Sequence, residues 1–125
     1  SLVKKLGIKP NSTLMLIHTP KDFEKTLGNI PKGVSISKNS KAKSDLIIWF
    51  AKSKNEVEKR IRQISNSLTE KGSVWVAWQK KTSEVKTDLN QTIVRKIGLD
   101  SGIVDYKICS IDKTWSALLF TRRKP

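Results

Sequence analysis

The sequence predicts an α/β domain of three layers, in which helices cover both faces of a mostly parallel β-sheet with one antiparallel strand near the C-terminus. Unbroken apolar runs recur at 14–17, 46–51, 74–78 and 117–120. Because a strand with one exposed face would alternate apolar and polar residues, such runs are typical of strands buried on both faces. Capped amphipathic segments between the runs predict the covering helices. The link at 112–114 is so short that it permits only an antiparallel return.

Composition predicts a single domain over residues 1–125. A chain of this length buries a core of its own. Its one cysteine, Cys109, excludes an internal disulfide and fits a reducing compartment. No apolar run approaches the roughly 20 residues of a membrane span, and no signal-peptide pattern is present. We therefore expect a cytoplasmic protein that does not contact the membrane.

The first third of the chain predicts short elements. A helix is expected over 2–6, where a glycine follows the apolar residues, and the first strand over about 13–18. Thr19 has the side chain of a helix cap and Pro20 suits the first helical position, so a second helix is expected to begin there. A brief second strand is expected over 33–37.

The middle of the chain predicts a strand followed by the longest helix. A basic loop without acidic residues is expected over 38–44, and a strand over about 45–51. Ser53 and Glu56 then have the spacing of a capping box. Apolar residues at spacings of four, three and four predict an amphipathic helix that ends at Lys71-Gly72. These apolar residues are Val57, Ile61, Ile64 and Leu68.

The last third predicts the central strand and the antiparallel pair. The run at 73–81 is apolar until it ends in Gln-Lys-Lys, and we expect it at the centre of the sheet. Asp88, three residues before a glutamine, is expected to cap the next helix, which ends at one of the two following glycines. Strands are expected over 103–111 and about 115–121. Residues 122–125 form a basic tail.

The charge of the chain indicates a polyanionic partner. There are 25 Lys and Arg residues against 11 Asp and Glu, a formal net charge of +14. Such an excess favours nucleic acid or another polyanion as a partner. The alternative is that the charge serves only solubility, because lysines far outnumber arginines and base-reading proteins rely on arginine.

A ligand site is expected at the carboxyl edge of the sheet, meaning the edge where the parallel strands end. In open parallel sheets, ligands bind beyond these strand ends, and helix N-termini there favour anions. We therefore predict a site for a phosphate-bearing ligand or a nucleic-acid backbone. Its predicted residues are His18, Thr19, Lys52, Lys80, Lys81, Asp88, Lys113 and Trp115.

Each candidate also has a purely structural interpretation. The lysine pair at 80–81 fits a solvated loop, and Asp88 fits a helix cap better than a catalytic base. Trp115 lies at a strand end where it can stack on a base, although core packing is the commoner role. His18 and Cys109 are the only soft metal ligands, so no metal site is expected. No residue is predicted to be catalytic.

Two resemblances add to this interpretation. From Asp45 onward, the order of elements resembles the second half of a Rossmann-like, class I methyltransferase domain. Four segments also resemble a family of small uncharacterised prokaryotic proteins, a domain of unknown function that often has proline where Gln79 stands here. That resemblance implies a trimmed, degenerate methyltransferase-type fold and brings no established activity. The segments are Lys5 to Pro10, Trp78 to Lys81, Thr87 to Leu89 and Cys109 to Ser116.

The cofactor site of a methyltransferase is missing from the sequence. Adenosylmethionine sites of this fold need a glycine-rich turn after the first strand and an acidic residue after the second. Residues 18–23 contain no glycine, 35–38 contain no acid, and only 19–44 separate the first strand from the next long one. We therefore expect no cofactor, and a non-catalytic domain that binds an anionic partner. A protein-interaction module and a divergent adenosylmethionine-dependent methyltransferase are the alternatives.

Overall fold

Helices and strands alternate along most of the chain, as the sequence predicts. A computed structural model describes residues 1–38 and 42–123. In chain order, the elements are α1 (Leu2–Leu6), β1 (Thr13–Ile17), α2 (Phe23–Leu27), β2 (Ser35–Ser37), β3 (Ser44–Phe50), α3 (Lys54–Ser65), β4 (Leu68–Gln79), α4 (Gln91–Asp100), β5 (Ile103–Ser110) and β6 (Trp115–Arg122). No helix within the described ranges is long and apolar enough to cross a membrane.

Six strands form one sheet in the order β2-β1-β3-β4-β6-β5. The first four strands along the chain are mutually parallel. Strand β6 lies antiparallel between β4 and β5, so β5 runs in the same direction as β4. The predicted sheet, mostly parallel with one antiparallel strand near the C-terminus, is confirmed.

Helices cover both faces of this sheet and give it three layers. Val57 of α3 and Val94 of α4 belong to one buried cluster, whose side of the sheet we call the α3–α4 face. Leu6 of α1 and Phe23 of α2 belong to the other cluster, on the α1–α2 face. Because strands bury both faces, their side chains alternate between two cores, which explains the unbroken apolar runs.

Two tryptophans anchor the two cores. Trp49 of β3 and Trp75 of β4 are fully buried and lie on opposite faces. The Trp49 indole nitrogen donates to Glu56 Oε2 at 2.8 Å, and the Trp75 indole nitrogen donates to the Leu6 carbonyl at 2.8 Å. Both N–H groups are therefore satisfied inside the protein, as buried indoles require. The predicted core role of these residues is confirmed.

The predicted end of the longest helix is wrong. Helix α3 ends at Ser65, and Leu68 is the first residue of β4, where it pairs with Ser44 of β3. Leu68 is nevertheless buried in the same cluster as the apolar stripe of α3. Its burial fits the helical spacing, so periodicity alone did not distinguish the last helical turn from the first strand residues.

Other boundaries differ in smaller ways. Helix α2 begins at Phe23 rather than at Thr19-Pro20, and Asp22 stands at its N-cap without a side-chain hydrogen bond. His18 and Asp22 have φ of 54° and 67°, which interrupts a helical path between them. Gly98 lies inside α4, where an added Cβ would meet the Phe120 ring.

One residue of the predicted basic loop and one residue of the predicted basic tail belong to strands. Ser44 of the predicted loop belongs to β3, and Arg122 of the predicted tail belongs to β6. The Arg122 guanidinium donates to the carbonyls of Ser65 and Leu68, so it holds the turn between α3 and β4. Residues 39–41 and 124–125 lie outside the described residues.

Asp45 joins the starts of three strands. Its Oδ2 accepts from the Thr13 backbone N–H at 2.9 Å and the Thr13 hydroxyl at 3.1 Å, and its Oδ1 accepts from the Thr69 hydroxyl at 3.0 Å. The Thr13 N–H, followed by the two hydroxyls, lowers the pKa of Asp45 against the opposing effect of desolvation. The carboxylate thus helps to set where β4 begins.

Replacing Asp45 by alanine is expected to lower the free energy of unfolding at pH 7 by about 1 kcal/mol, since the carboxylate is exposed and its hydrogen bonds compete with water. Because its folded pKa lies below the unfolded value of about 4, this contribution is complete above that value and is lost as the pH falls through the folded pKa.

Urea denaturation at neutral and acidic pH measures the effect. The difference between wild type and Asp45→Ala should shrink in acid. Asp100→Ala is the matched control, since Asp100 makes an exposed ion pair with Lys96 on α4, and such pairs contribute little. A difference for Asp45→Ala that stays constant with pH would contradict the role of its charge.

Candidate functional site

The structure brings the predicted strand ends together at the carboxyl edge. His18 Nδ1 lies 3.4 Å from Glu56 Oε2, which joins the end of β1 to α3. The Lys80 backbone N–H donates to the Thr114 carbonyl at 2.7 Å, which joins the end of β4 to the β5–β6 turn. The predicted residues therefore share one edge of the sheet, and the question is whether their polar groups are free to meet a ligand.

The N-terminus of α3 is already occupied by the chain's own side chains. Ser53 Oγ accepts from the Glu56 N–H at 3.1 Å, which is one of the two hydrogen bonds of the predicted capping box. The Glu56 carboxylate binds the residue before the cap instead of the cap itself. Glu56 Oε1 accepts from the Lys52 N–H at 3.3 Å, and Asp88 Oδ1 accepts from the Lys54 N–H at 2.8 Å. The Asp88 carboxylate thus stands where an external anion would bind the helix N-terminus, and the Glu56 carboxylate adds a second negative charge beside it.

Asp88 caps a different helix from the predicted one. The N-cap of α4 is Asn90, whose side chain accepts from the Ile93 N–H, whereas Asp88 accepts from the first residue of α3. Thr87 supports this arrangement, because its hydroxyl donates to the Lys52 carbonyl at 3.2 Å. The prediction that Asp88 caps α4 is therefore wrong, because a backbone N–H distant in sequence takes its carboxylate.

Glu56 connects several parts of this edge. Besides the Lys52 N–H, it accepts from the indole of the fully buried Trp49 and faces the half-exposed imidazole of His18. The side chain of Glu56 is 17% exposed. It therefore ties the ends of β1 and β3 to α3.

Lys80 closes the β5–β6 turn. Its ammonium donates to Ser110 Oγ and to the Asp112 carbonyl, both at 2.6 Å. Asp112 Oδ1 in turn accepts from the N–H groups of Thr114 and Trp115 at 2.8 Å each. Lys80 is thus held by intramolecular partners. Of the other lysines predicted for this edge, Lys52, Lys81 and Lys113 are exposed.

Two of the predicted ligand residues lie elsewhere than in an open site: Trp115 packs in the core, and Thr19 lies in a turn. The Trp115 side chain is 8% exposed and packs edge-on against Phe50, with ring centroids 4.9 Å apart. Phe50 packs in the same way on Phe23 of α2. Trp115 therefore presents no open ring face to a base, and the core-packing interpretation describes it. Thr19 is half-buried in the turn before α2 and caps no helix.

The residues present do not fit the adenosylmethionine site that this kind of fold carries. The turn after β1 passes through His18 and Asp22, both with positive φ, where side chains stand instead of the glycines that let a backbone approach a ligand. Lys38, the last described residue after β2, is basic, and residues 39–41 are Asn, Ser and Lys. This part of the chain offers no carboxylate to ribose hydroxyls.

Comparison with solved structures relates the fold to known proteins. A TehB-like SAM-dependent methyltransferase from Corynebacterium glutamicum matches 98% of this chain and 85% of its own, with a TM-score of 0.67 and 10% identity. A SAM-dependent methyltransferase from Aquifex aeolicus matches 95% of this chain and 86% of its own, with a TM-score of 0.61 and 14% identity. The fold is that of the class I methyltransferases.

The likeness extends to the fold alone, because sequence identity is so low. A magnesium protoporphyrin IX methyltransferase from Synechocystis also matches 98% of this chain and 74% of its own, with a TM-score of 0.58 and 10% identity. No family model matches the sequence, and no curated protein matches it. The methyltransferase-type fold implied by the sequence resemblance is confirmed.

A second surface of this methyltransferase-type domain was not predicted. A cavity of about 280 Å³ lies on the α1–α2 face, between α1, the starts of β3 and β4, and β5. We call it the basic groove. It is defined by Lys5, Lys9, Lys71, Lys107 and Tyr106.

The lysines of the basic groove form no ion pair with any carboxylate in the part of the chain that the structure describes. Lys5 Nζ donates to the Ser110 carbonyl at 3.0 Å and Lys107 Nζ donates to the Lys5 carbonyl at 3.5 Å. These carbonyls carry no net charge. Among the described residues that line the groove, Asp45 is the one acid, so this lining carries a net positive charge.

The buried thiol of Cys109 lies in the same positive field. Burial is the largest influence and raises the pKa of Cys109, while the charges of Lys5, Lys107 and Lys80 act in the opposite direction. The thiol therefore stays protonated at neutral pH and is unsuited to act as a nucleophile. This agrees with the structural interpretation of Cys109 as a core residue.

Proposed function

We propose that this protein is a non-catalytic domain of methyltransferase-type fold that binds the phosphate backbone of a nucleic acid. The observation that supports it is the basic groove, where four lysines line one concave surface of a chain with net charge +14. Among the described residues, these lysines have no acidic partner. Phosphate contacts release condensed counterions, so such a surface favours a polyanion. The proposal moves the site from the predicted carboxyl edge to the groove.

The contacts at the carboxyl edge favour this relocation. Glu56 and Asp88 cap the start of α3, and Lys80 is bound to the β5–β6 turn. An incoming phosphate at this edge would have to approach two carboxylates and displace existing hydrogen bonds. In the groove, Lys5 and Lys107 also donate to backbone carbonyls, but four lysines line the surface with a single carboxylate, Asp45, among the described lining residues. The oxygens of Asp45 are already bound by Thr13 and Thr69.

Binding is expected to depend steeply on salt. A labelled oligonucleotide titrated at about 50 and 200 mM salt should lose roughly 50-fold in affinity if four lysines each contact a phosphate of a single strand. Fluorescence polarisation measures this change directly. Absence of binding at the lower salt concentration would refute the proposal.

Charge reversal at two sites tests where the partner binds. Lys71→Glu with Lys107→Glu is expected to weaken binding by about tenfold or more and to flatten the salt dependence. Lys52→Glu with Lys81→Glu makes the same change of charge at the carboxyl edge, the competing location, and should cost much less. An equal loss from both pairs would mean that net charge, rather than the groove, drives binding.

Adenosylmethionine is expected to leave the melting temperature of the protein unchanged. The sequence lacks the glycine-rich turn and the acidic residue that bind this cofactor in methyltransferases of this fold. A thermal scan with increasing cofactor measures this, with a known adenosylmethionine-dependent methyltransferase as the positive control. A rise in melting temperature with cofactor concentration would contradict the non-catalytic part of the proposal and favour a divergent methyltransferase.

A further inference from the structure

A β-bulge places two successive residues of β5 on the same face of the sheet. Asp105 pairs with Phe120 and Lys107 pairs with Leu119, so Tyr106 is an extra residue in the ladder. In a regular strand, neighbours such as Tyr106 and Lys107 point to opposite faces. Here both residues line the basic groove, because a bulge changes the direction in which a side chain points.

Tyr106 is held in a defined orientation while its ring remains open. Its hydroxyl lies 3.2 Å from Ser73 Oγ on β4, at hydrogen-bond distance. The side chain therefore reaches across β6, and the residue is still 58% exposed. An oriented, exposed ring beside four lysines is the combination used to stack bases of a single strand.

We infer that the basic groove binds single-stranded nucleic acid, with the Tyr106 ring stacking on one base while the lysines contact the flanking phosphates. This inference rests on the proposed function and specifies its ligand. A base is available for stacking only where it is unpaired, because duplex bases already stack on each other inside the helix. The lysines contact either form, so Tyr106 supplies the preference for a single strand.

Affinity for two matched probes tests the inference. A labelled oligonucleotide of about 15 nucleotides, within the length that one such site covers, is compared with its duplex at about 50 mM salt. Tyr106→Ala is expected to weaken single-strand binding by about tenfold and duplex binding by less than about twofold. Tyr106→Phe keeps the ring but loses the hydrogen bond to Ser73 that orients it, so its single-strand affinity should fall between those of wild type and Tyr106→Ala.

Ile108→Ala is the control for surface changes on the same strand. Ile108 is also exposed but pairs with Leu118 on the α3–α4 face, away from the groove, so both affinities should be unchanged. An equal loss for both probes in Tyr106→Ala, or a wild-type preference for duplex, would overturn the inference while leaving the proposed function intact. If wild type binds neither probe, both are overturned.

Discussion

Replacing Trp75 by alanine is expected to lower the free energy of unfolding by about 3–5 kcal/mol. Trp75 is fully buried in β4, the strand at the middle of the sheet, and belongs to the core of the α1–α2 face. The substitution leaves a large cavity and also removes the donor to the Leu6 carbonyl. Urea denaturation followed by circular dichroism measures the loss.

Trp75→Phe separates packing from hydrogen bonding. The phenyl ring retains most of the apolar contact but cannot donate, so the Leu6 carbonyl at the end of α1 loses a buried partner. A loss of about 1–3 kcal/mol is expected from that unsatisfied acceptor and the smaller ring together. If Trp75→Ala proves no more costly than Trp75→Phe, the packing contribution assigned to the indole is wrong.

Replacing Glu56 by alanine is expected to cost about 2–4 kcal/mol, although Glu56 lies on the rim of the sheet. The change leaves the indole N–H of the fully buried Trp49 without its acceptor, which costs about 1–3 kcal/mol. It also removes the carboxylate that accepts from the Lys52 N–H before α3, a loss of about 1 kcal/mol for one hydrogen bond.

Glu56→Gln is the matched variant, since its amide oxygen still accepts from Trp49. It should recover most of the stability that Glu56→Ala loses, as measured by denaturation in urea at neutral pH. Equal destabilisation by Gln and Ala would show that the negative charge beside the helix N-terminus, rather than the hydrogen bond to the indole, is what matters.

The candidate site was only partly accessible from the sequence. The gathering of His18, Lys52 and Lys80 at one edge follows from strand direction, which apolar runs and connection lengths indicate. What those side chains do there depends on partners far along the chain. Asp88 meets the Lys54 N–H, and Lys80 meets Ser110. Hydrogen bonds between such distant residues leave no local pattern, so the sequence did not show that Asp88 and Lys80 have intramolecular partners.

The basic groove could not be predicted from the sequence either. Lys5, Lys71 and Lys107 belong to separate parts of the sequence and form no run or spacing that predicts a site. The bulge at Tyr106 depends on the register of β5 against β6, and a shift of one residue would turn the ring to the opposite face. Sequence periodicity does not determine that register.

By itself, the sequence determined the α/β class, the mostly parallel sheet, the antiparallel return and the core tryptophans, because burial on two faces and capping chemistry are recorded in neighbouring residues. Only the tertiary structure decided where α3 gives way to β4, which helix Asp88 caps and which lysines share a surface. Leu68 shows the reason most simply, because a buried apolar residue fits the pattern of a helix and of a strand equally well. Its backbone pairs with Ser44 of β3 in the folded protein, and this pairing makes it a strand residue.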